Sequence, residues 1–544
     1  MPTASHSSPT IAFDRPVLQK INLRVQSIPG ELAEPQIPST AGMTSRVMKG
    51  SLWTLGGQVA PLFFSFIATP FVIRLLGVEG YGVFILIGLI PSYFNFADLG
   101  MGMASTKFGS EAYADGDRGR EARIVRTSAL LALVMSVPIA LLIATFSGRL
   151  AALFNVPSEF QGQAGLALQI AAGTFVLNFL NSIFNTPQLT RLRMDLNTLV
   201  SSVPRILGVI AVPMVIYFGG GIVGAVTVLF MASLLTLIAN LYFSRALLPD
   251  LVGVSIERAV IRPLLRFGGA LVFASIAAVF LVNVEKLILV RVTSVETLAH
   301  YSVAYTLANM VTLFTVAMAQ SLVPAFSQLA KPDKRDQLDR LYVRSLRINI
   351  FSLLPCLLIL AIVAKPFFTV WAGPEFGVAS PLPFYILQIG LFFNLNACIP
   401  WAVILSQGRT DIFAKLYWIQ ILPYIGLCAF LTYRFGAVGA ATAWSGRVIS
   451  ESYILFKYAG RIGGVHFSLS QYVGALLLGL LILLPPLLLA AAVNELSPWL
   501  LVLIPVSLVS YSALIWKKIV EPEEKVWVAQ QGNNLYNRIF RFVY

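Results

Sequence analysis

Charge is what this chain lacks. Only 12% of its 544 residues are Asp, Glu, Lys or Arg, where soluble domains carry roughly 25%. Hydrophobic residues make up 57%, and the mean hydropathy is +0.78. That balance excludes an ordinary soluble domain and argues for many membrane spans. Histidine and cysteine are just as sparse. His6, His300 and His466 are too scattered for a ligand set, and Cys356, Cys398 and Cys428 all fall in apolar runs. Neither a metal site nor a disulfide framework is expected. The sequence has no GxxxxGK[ST], HExxH, paired CxxC or GxSxG, so ATP hydrolysis and the common hydrolase chemistries are excluded. Long outward loops are missing as well, the longest being 147–163. Nucleic acid is not implied by the net charge of +14, because the cations sit in short loops beside apolar runs, where they set orientation.

What the chain does have is long apolar runs. Trp53–Ile73 contains no charge, and Gly82–Ser105 only Asp98. About 20 apolar residues cross the hydrocarbon core as a helix. Fourteen such spans are expected, near 52–73, 82–106, 124–146, 164–186, 199–218, 221–243, 267–290, 298–327, 348–370, 381–407, 412–433, 436–457, 470–493 and 498–516. Loops after even-numbered spans hold twenty-two Lys and Arg residues; loops after odd-numbered spans hold Arg74, Arg149, Arg291 and Arg434. This asymmetry puts both termini in the cytoplasm.

The runs also repeat. Arg74, Val78 and Glu79 recur at the same spacing as Arg291, Val295 and Glu296, each copy followed by a tyrosine, Tyr81 or Tyr301. LFNVPSEF (153–160) has a counterpart in VWAGPEFG (370–377), and Arg193 and Asp195 match Arg409 and Asp411. Gly221 and Gly224 match Gly436 and Gly439. The expected fold is an all-α integral membrane protein of two parallel six-helix lobes with two extra helices. Its parts are a disordered cytoplasmic tail (1–47, with no signal-peptide core), a first lobe (48–243), a cytoplasmic linker (244–266), a second lobe (267–457), the extra pair (470–516) and a cytoplasmic tail (517–544). Parallel halves of this kind commonly enclose a central site and rock against each other.

Polar residues inside spans are costly and face a cavity or a partner. Asn95, Asp98, Gly102 and Ser105 lie at helical spacing in span 2, either on a cavity wall or on a small-residue packing face. Asn178, Asn181 and Asn185 share a face of span 4, fit either to meet sugar hydroxyls or to bind helices together. Glu285 and Lys286 sit in the outer part of span 7, where the first lobe has Ala68 and Thr69. They either snorkel towards the interface or serve as a titrating acid and a phosphate contact. Arg447 and Glu451 stand near the middle of span 12, one turn apart and able to pair; Ala232 and Thr236 occupy the matching places.

PFVIRLLGVEGYGVF followed by FADLGMGMASTK resembles the start of a bacterial polysaccharide transporter of the O-antigen flippase type. That family shares an exporter superfamily with multidrug antiporters and the lipid II flippase. VNVEKLILVRV, HYSVAY and LVPAFSQL are similar to its second-lobe pattern, and the likeness runs over about 48–460. The 47-residue tail departs from the usual short N-terminus, and Glu285 stands where Asp is common. The resemblance implies an inner-membrane flippase for an undecaprenyl-pyrophosphate-linked oligosaccharide, working by alternating access on an ion gradient. Substrate contacts would come from Arg447, Lys286, Asn178, Asn181, Asn185 and Asn95; ion coupling would fall to Glu285, Glu451 and Asp98. Membrane lipids, a polysaccharide polymerase and glycosyltransferases would be its partners, without cofactor, metal or catalytic residue. Two alternatives are a multidrug cation antiporter, which usually places acids in the first lobe's core, and a membrane glycan polymerase or ligase. The second would be expected to carry a large outward catalytic loop.

Orientation is testable directly. Single cysteines at 107–123 and 331–347 should react only from the cytoplasmic side, and those at 150–162 and 373–379 only from outside. Labelling of both sets from one side contradicts the two-lobe arrangement.

Overall fold

The computed structural model describes residues 40–522 and Lys525, apart from 99, 252–257, 331, 469, 471 and 493–497. Of the expected tail over 1–47, only the part from Thr40 falls within these residues, and it is helical. Two units result, Met1–Leu52 and Trp53–Tyr544. The second contains the apolar spans.

Among the described residues every regular element is helical. The first lobe holds α1 (Thr40–Ser92), a 3-10 turn (Asn95–Asp98), α2 (Met101–Ala114), α3 (Arg118–Thr145), α4 (Ser147–Leu153), α5 (Ser158–Phe184), α6 (Thr186–Thr190), α7 (Met194–Val215) and α8 (Gly221–Leu247). The second holds α9 (Arg258–Val292), α10 (Val295–Asn309), α11 (Thr312–Gln328), α12 (Arg335–Trp371), α13 (Pro374–Ala379), α14 (Pro381–Ser406) and α15 (Asp411–Gly463). The extra pair is α16 (Val473–Ala492) and α17 (Pro498–Lys518). Among the described residues seven helical stretches are apolar and long enough to cross a membrane, and three of these run for 53 to 59 residues, enough for two crossings each. With α9, the α10–α11 pair, α16 and α17, the chain accommodates the fourteen crossings expected.

Each double-length stretch changes direction at glycine. Gly77 has φ 73°, Gly221 φ 54° and Gly436 φ 55°, a backbone region that side chains with a Cβ resist. Gly221 and Gly436, matched in the repeat, adopt nearly the same conformation, with ψ −153° and −132°. Their companions also agree. A Cβ on Gly224 would lie 2.7 Å from the Val215 side chain, and one on Gly439 would lie 2.0 Å from the Leu431 carbonyl oxygen. The Arg-x-Asp forks match as well: Arg193 Nε donates to Asp195 at 3.2 Å and Arg409 Nε to Asp411 at 2.9 Å. The Arg409 bond holds the Asp411 carboxyl below its usual range.

One expectation fails in both lobes. Span 2 is not one helix but breaks at Tyr93–Gly100, and its repeat partner breaks between α10 and α11. Pro91 removes a helical donor just before the first break, and Gly100 takes φ 63°. Asn95, Asp98, Gly102 and Ser105 therefore do not share a continuous stripe.

The lobes are latched at the cation-poor end. Arg74 donates to the Val370 carbonyl at 2.9 Å, and the Asn155 amide donates to the Arg291 carbonyl at 2.8 Å. The Phe66 ring stacks on Phe367 and Trp371, with centroids 5.8 and 5.0 Å apart. Gly82 lies so close to α10 that a Cβ there would stand 2.0 Å from the Val295 carbonyl oxygen. Gly82→Ala should therefore part the latch. Spin labels at 159 and 292 should report a longer, broader distance distribution than in the parent; an unchanged distribution would show that this contact does not hold the lobes.

Candidate functional site

Two charged pairs that lie within expected spans meet in the second lobe. Glu285 on α9 is fully buried, and its Oε2 accepts a hydrogen bond from the Tyr424 hydroxyl at 3.1 Å. Lys286 donates to Asn283 Oδ1 at 3.1 Å, and its ammonium lies 4.1 Å from the Tyr305 ring centroid. Neither residue snorkels. On α15, Arg447 donates to Glu451 Oε2 at 2.8 Å, and both side chains are about nine-tenths buried. The Arg447 guanidinium lies over the same Tyr424 ring, 5.2 Å from its centroid. Tyr424 thus joins two charged pairs that the sequence offers separately.

Aromatic groups complete the surroundings. Tyr305 stacks on Tyr301 and meets Trp444 edge-on, at centroid separations of 6.1 and 5.8 Å. From the first lobe, Tyr93 approaches α9 through Phe280 at 6.0 Å. Glu285 Oε1, Arg447 Nε and the hydroxyls of Tyr93 and Tyr301 have no hydrogen-bond partner among the described residues. Buried polar atoms of this kind are uncommon and concentrate where a protein has a task to perform. A site with a carboxylate, a guanidinium fork, an ammonium and phenol rings can hold an anionic head group and move a proton.

The same register in the first lobe shows what a purely structural solution looks like. With Asp195 set on Asp411, Tyr424 corresponds to Gly208; with Gly221 set on Gly436, a register one residue shorter, Arg447 corresponds to Ala232. Gly208 and Ala232 pack directly, the Ala232 methyl standing 2.8 Å from where a Gly208 Cβ would be. Thr236, opposite Glu451, bonds back to the Ala232 carbonyl at 2.9 Å. Small residues close helices together in membranes at little cost. The second lobe has replaced that contact with an arginine over a tyrosine.

The remaining expected residues lie elsewhere. Asp98 is half-buried in the first lobe, 3.5 Å from the Ser182 hydroxyl, and no interaction among the described residues links it to the charged group. Asn95 is exposed on the 3-10 turn. Asn181 donates to the Ser233 carbonyl at 3.1 Å and accepts from Asn240 at 3.0 Å. Asn178 accepts from the Ser233 hydroxyl at 3.3 Å, and Asn240 accepts from Gln188 at 3.0 Å. This chain of amides ties α5 to α8, about 1 kcal/mol per bond, and takes up groups expected to face sugar. Asn185 ends α5, with a buried Oδ1 that lacks a partner. Sequence reasoning missed the tyrosines, because aromatics abound in every span; the signal available was Tyr424 opposite Gly208. It also read Arg191 as a loop cation, whereas Arg191 makes a two-pronged pair with the buried Glu121, at 2.6 and 3.1 Å.

Comparisons with known proteins agree with this architecture. Residues 47–330 match the family model for polysaccharide biosynthesis proteins. A Shigella flexneri protein provisionally named an O-antigen transporter is 23% identical over 414 residues, covering 75% of this chain and 96% of its own. An uncharacterised membrane protein of Bacillus subtilis strain 168, EpsK, is 21% identical over 332 residues, 59% of this chain and 65% of its own. Among solved structures, the lipid II flippase MurJ in an inward closed conformation matches with a TM-score of 0.67 at 14% identity, over 86% of this chain and 98% of that one. An inward-facing multidrug resistance MATE family transporter of the MOP superfamily matches with a TM-score of 0.63 at 13% identity, over 82% of this chain and 98% of that one. At such identities the structures establish the shared fold.

Tyr424→Phe tests the join. It leaves a buried carboxylate without its donor, which should lower stability by about 1–3 kcal/mol, read by thermal unfolding of the purified protein. Unchanged stability would mean that the hydroxyl contributes nothing to holding Glu285.

Proposed function

The chain belongs to the polysaccharide biosynthesis protein family, and on that premise we propose that it flips an undecaprenyl-pyrophosphate-linked oligosaccharide across the bacterial inner membrane. A glycan's hydroxyls cannot cross hydrocarbon unaided, since each unpaired one costs several kcal/mol. Two lobes rocking about a polar interior shield the head group while the lipid tail stays in the bilayer. With the cation-rich end in the cytoplasm, the latch at Arg74, Gly82 and Asn155 describes a state sealed towards the outside.

The observation that carries the reading is the Arg447–Glu451 pair over Tyr424, present in one lobe only. An arginine at the membrane centre costs about 2.5–3.5 kcal/mol before a partner offsets it. A shared scaffold does not require that cost, because Ala232 serves the same place in the first lobe. A diphosphate competes well with a carboxylate for the guanidinium, because its oxygens match the fork in paired, charge-assisted bonds. In the proposed cycle the diphosphate takes Arg447 from Glu451, and Glu451 then accepts a proton. Glu285, bonded to the hydroxyl of the same Tyr424, senses the same exchange. Proton movement through these carboxylates couples the cycle to an ion gradient, and Lys286 adds a second cation for the head group. Likeness to multidrug transporters, at 13% identity, is a likeness of fold alone, so it does not favour the antiporter reading.

Arg447→Lys keeps the charge and loses the fork. It should fold normally yet flip lipid-pyrophosphate oligosaccharide in proteoliposomes roughly ten- to a hundredfold more slowly, the value of charge-assisted hydrogen bonds. Glu451→Ala alone strands a buried charge and should destabilise by about 3–5 kcal/mol. The double variant Arg447→Ala/Glu451→Ala should recover stability without recovering transport. If the double variant transports at the parental rate, the pair is only a structural bridge.

A further inference from the structure

Away from the charged site, the cation-poor end of the second lobe carries a group of side chains with the chemistry of a metal site. Glu296 and His300 stand four residues apart on α10, which puts them on one helical face. Glu375 reaches them from α13, and one ligand atom of each residue lies within 4.8 Å of the other two. Histidine scarcity hides this set from the sequence, since two of its three members are carboxylates 79 residues apart or joined only by the fold.

His300 supplies an independent sign that a ligand belongs here. The residue is 7% exposed, its ring is fixed edge-on against Phe376 at 4.7 Å, and its backbone carbonyl accepts the Ser380 hydroxyl at 3.0 Å. Its Nε2 nonetheless has no hydrogen-bond partner among the described residues. The two carboxylates beside it are exposed, and neither forms an ion pair among the described residues. Two acids converging on a held imidazole, without an ion pair among the described residues, is an arrangement that a cation satisfies.

We propose that Glu296, His300 and Glu375 form a divalent-cation site of the Zn2+ class, with one imidazole and two carboxylates as ligands and the remaining positions open to water. Imidazole with carboxylate suits zinc better than calcium or magnesium, which prefer all-oxygen shells. Bonds of about 2.0–2.2 Å set ligand atoms roughly 3–3.5 Å apart, so the exposed carboxylates need to close by at most about 1.3–1.8 Å from the 4.8 Å limit. In the first lobe Glu79, Val83 and Ser158 hold the corresponding places, so the set is confined to the second lobe. All three ligands belong to that lobe, and the site therefore persists when the lobes part. It braces the start of α10, the segment on which Gly82 rests.

The test uses the full chain, free of any histidine tag, in lipid nanodiscs. Co2+ titration followed by visible absorption, with Zn2+ competition, should show one equivalent per chain. Glu375→Gln, a change on an exposed side chain, should weaken Zn2+ binding roughly tenfold or more, while Glu159→Gln, an exposed acid of the first lobe, should not. Absence of saturable binding in the parent protein, or equal affinity in Glu375→Gln, would overturn the assignment.

Discussion

A charge in hydrocarbon must have a partner, and this constraint explains where the second lobe differs from the first. Isolated, Arg447 or Glu285 would be too costly to keep inside a span. Held together by Tyr424, the acid and the arginine share one ring, the acid through its hydroxyl and the cation through its face. Glu451 and Asn283 then serve the outlying charges. Because each partner depends on the next, exchanging any one of them disturbs the rest.

The surrounding scaffold is comparatively plain. Glycines at matched positions turn the helix pairs, small residues let α7 and α8 approach, and a chain of amides joins α5 to α8. The latch at the cation-poor end is made of a few backbone acceptors, one aromatic stack and one glycine contact. Glu296, His300 and Glu375, the residues proposed to hold a metal ion, lie beside the latch yet outside it, on the lobe that also carries the charges.

Much of this was legible in the sequence because hydrocarbon imposes long apolar runs and confines cations to one set of loops. The repeat could be read from Arg74 and Arg291, or Gly221 and Gly436, because turns and loop forks tolerate few substitutes. Span 2 was misread as continuous, since its apolar run does not register the break that Pro91 and Gly100 impose. Asn178 and Asn181 looked the same whether bound for sugar or for a neighbouring helix; only the partners Ser233 and Asn240 decide. The convergence of residues 285, 424 and 447 is a tertiary fact, with no local signature beyond a tyrosine opposite a glycine.

The most direct test of the central claim is made in the native cell. A strain lacking the gene should lose a surface polysaccharide and accumulate lipid-linked repeat units accessible only from the cytoplasmic side of the inner membrane, and the parental gene should reverse both changes. Unchanged glycan and precursors, together with raised sensitivity to cationic dyes, would contradict the account and point to drug export.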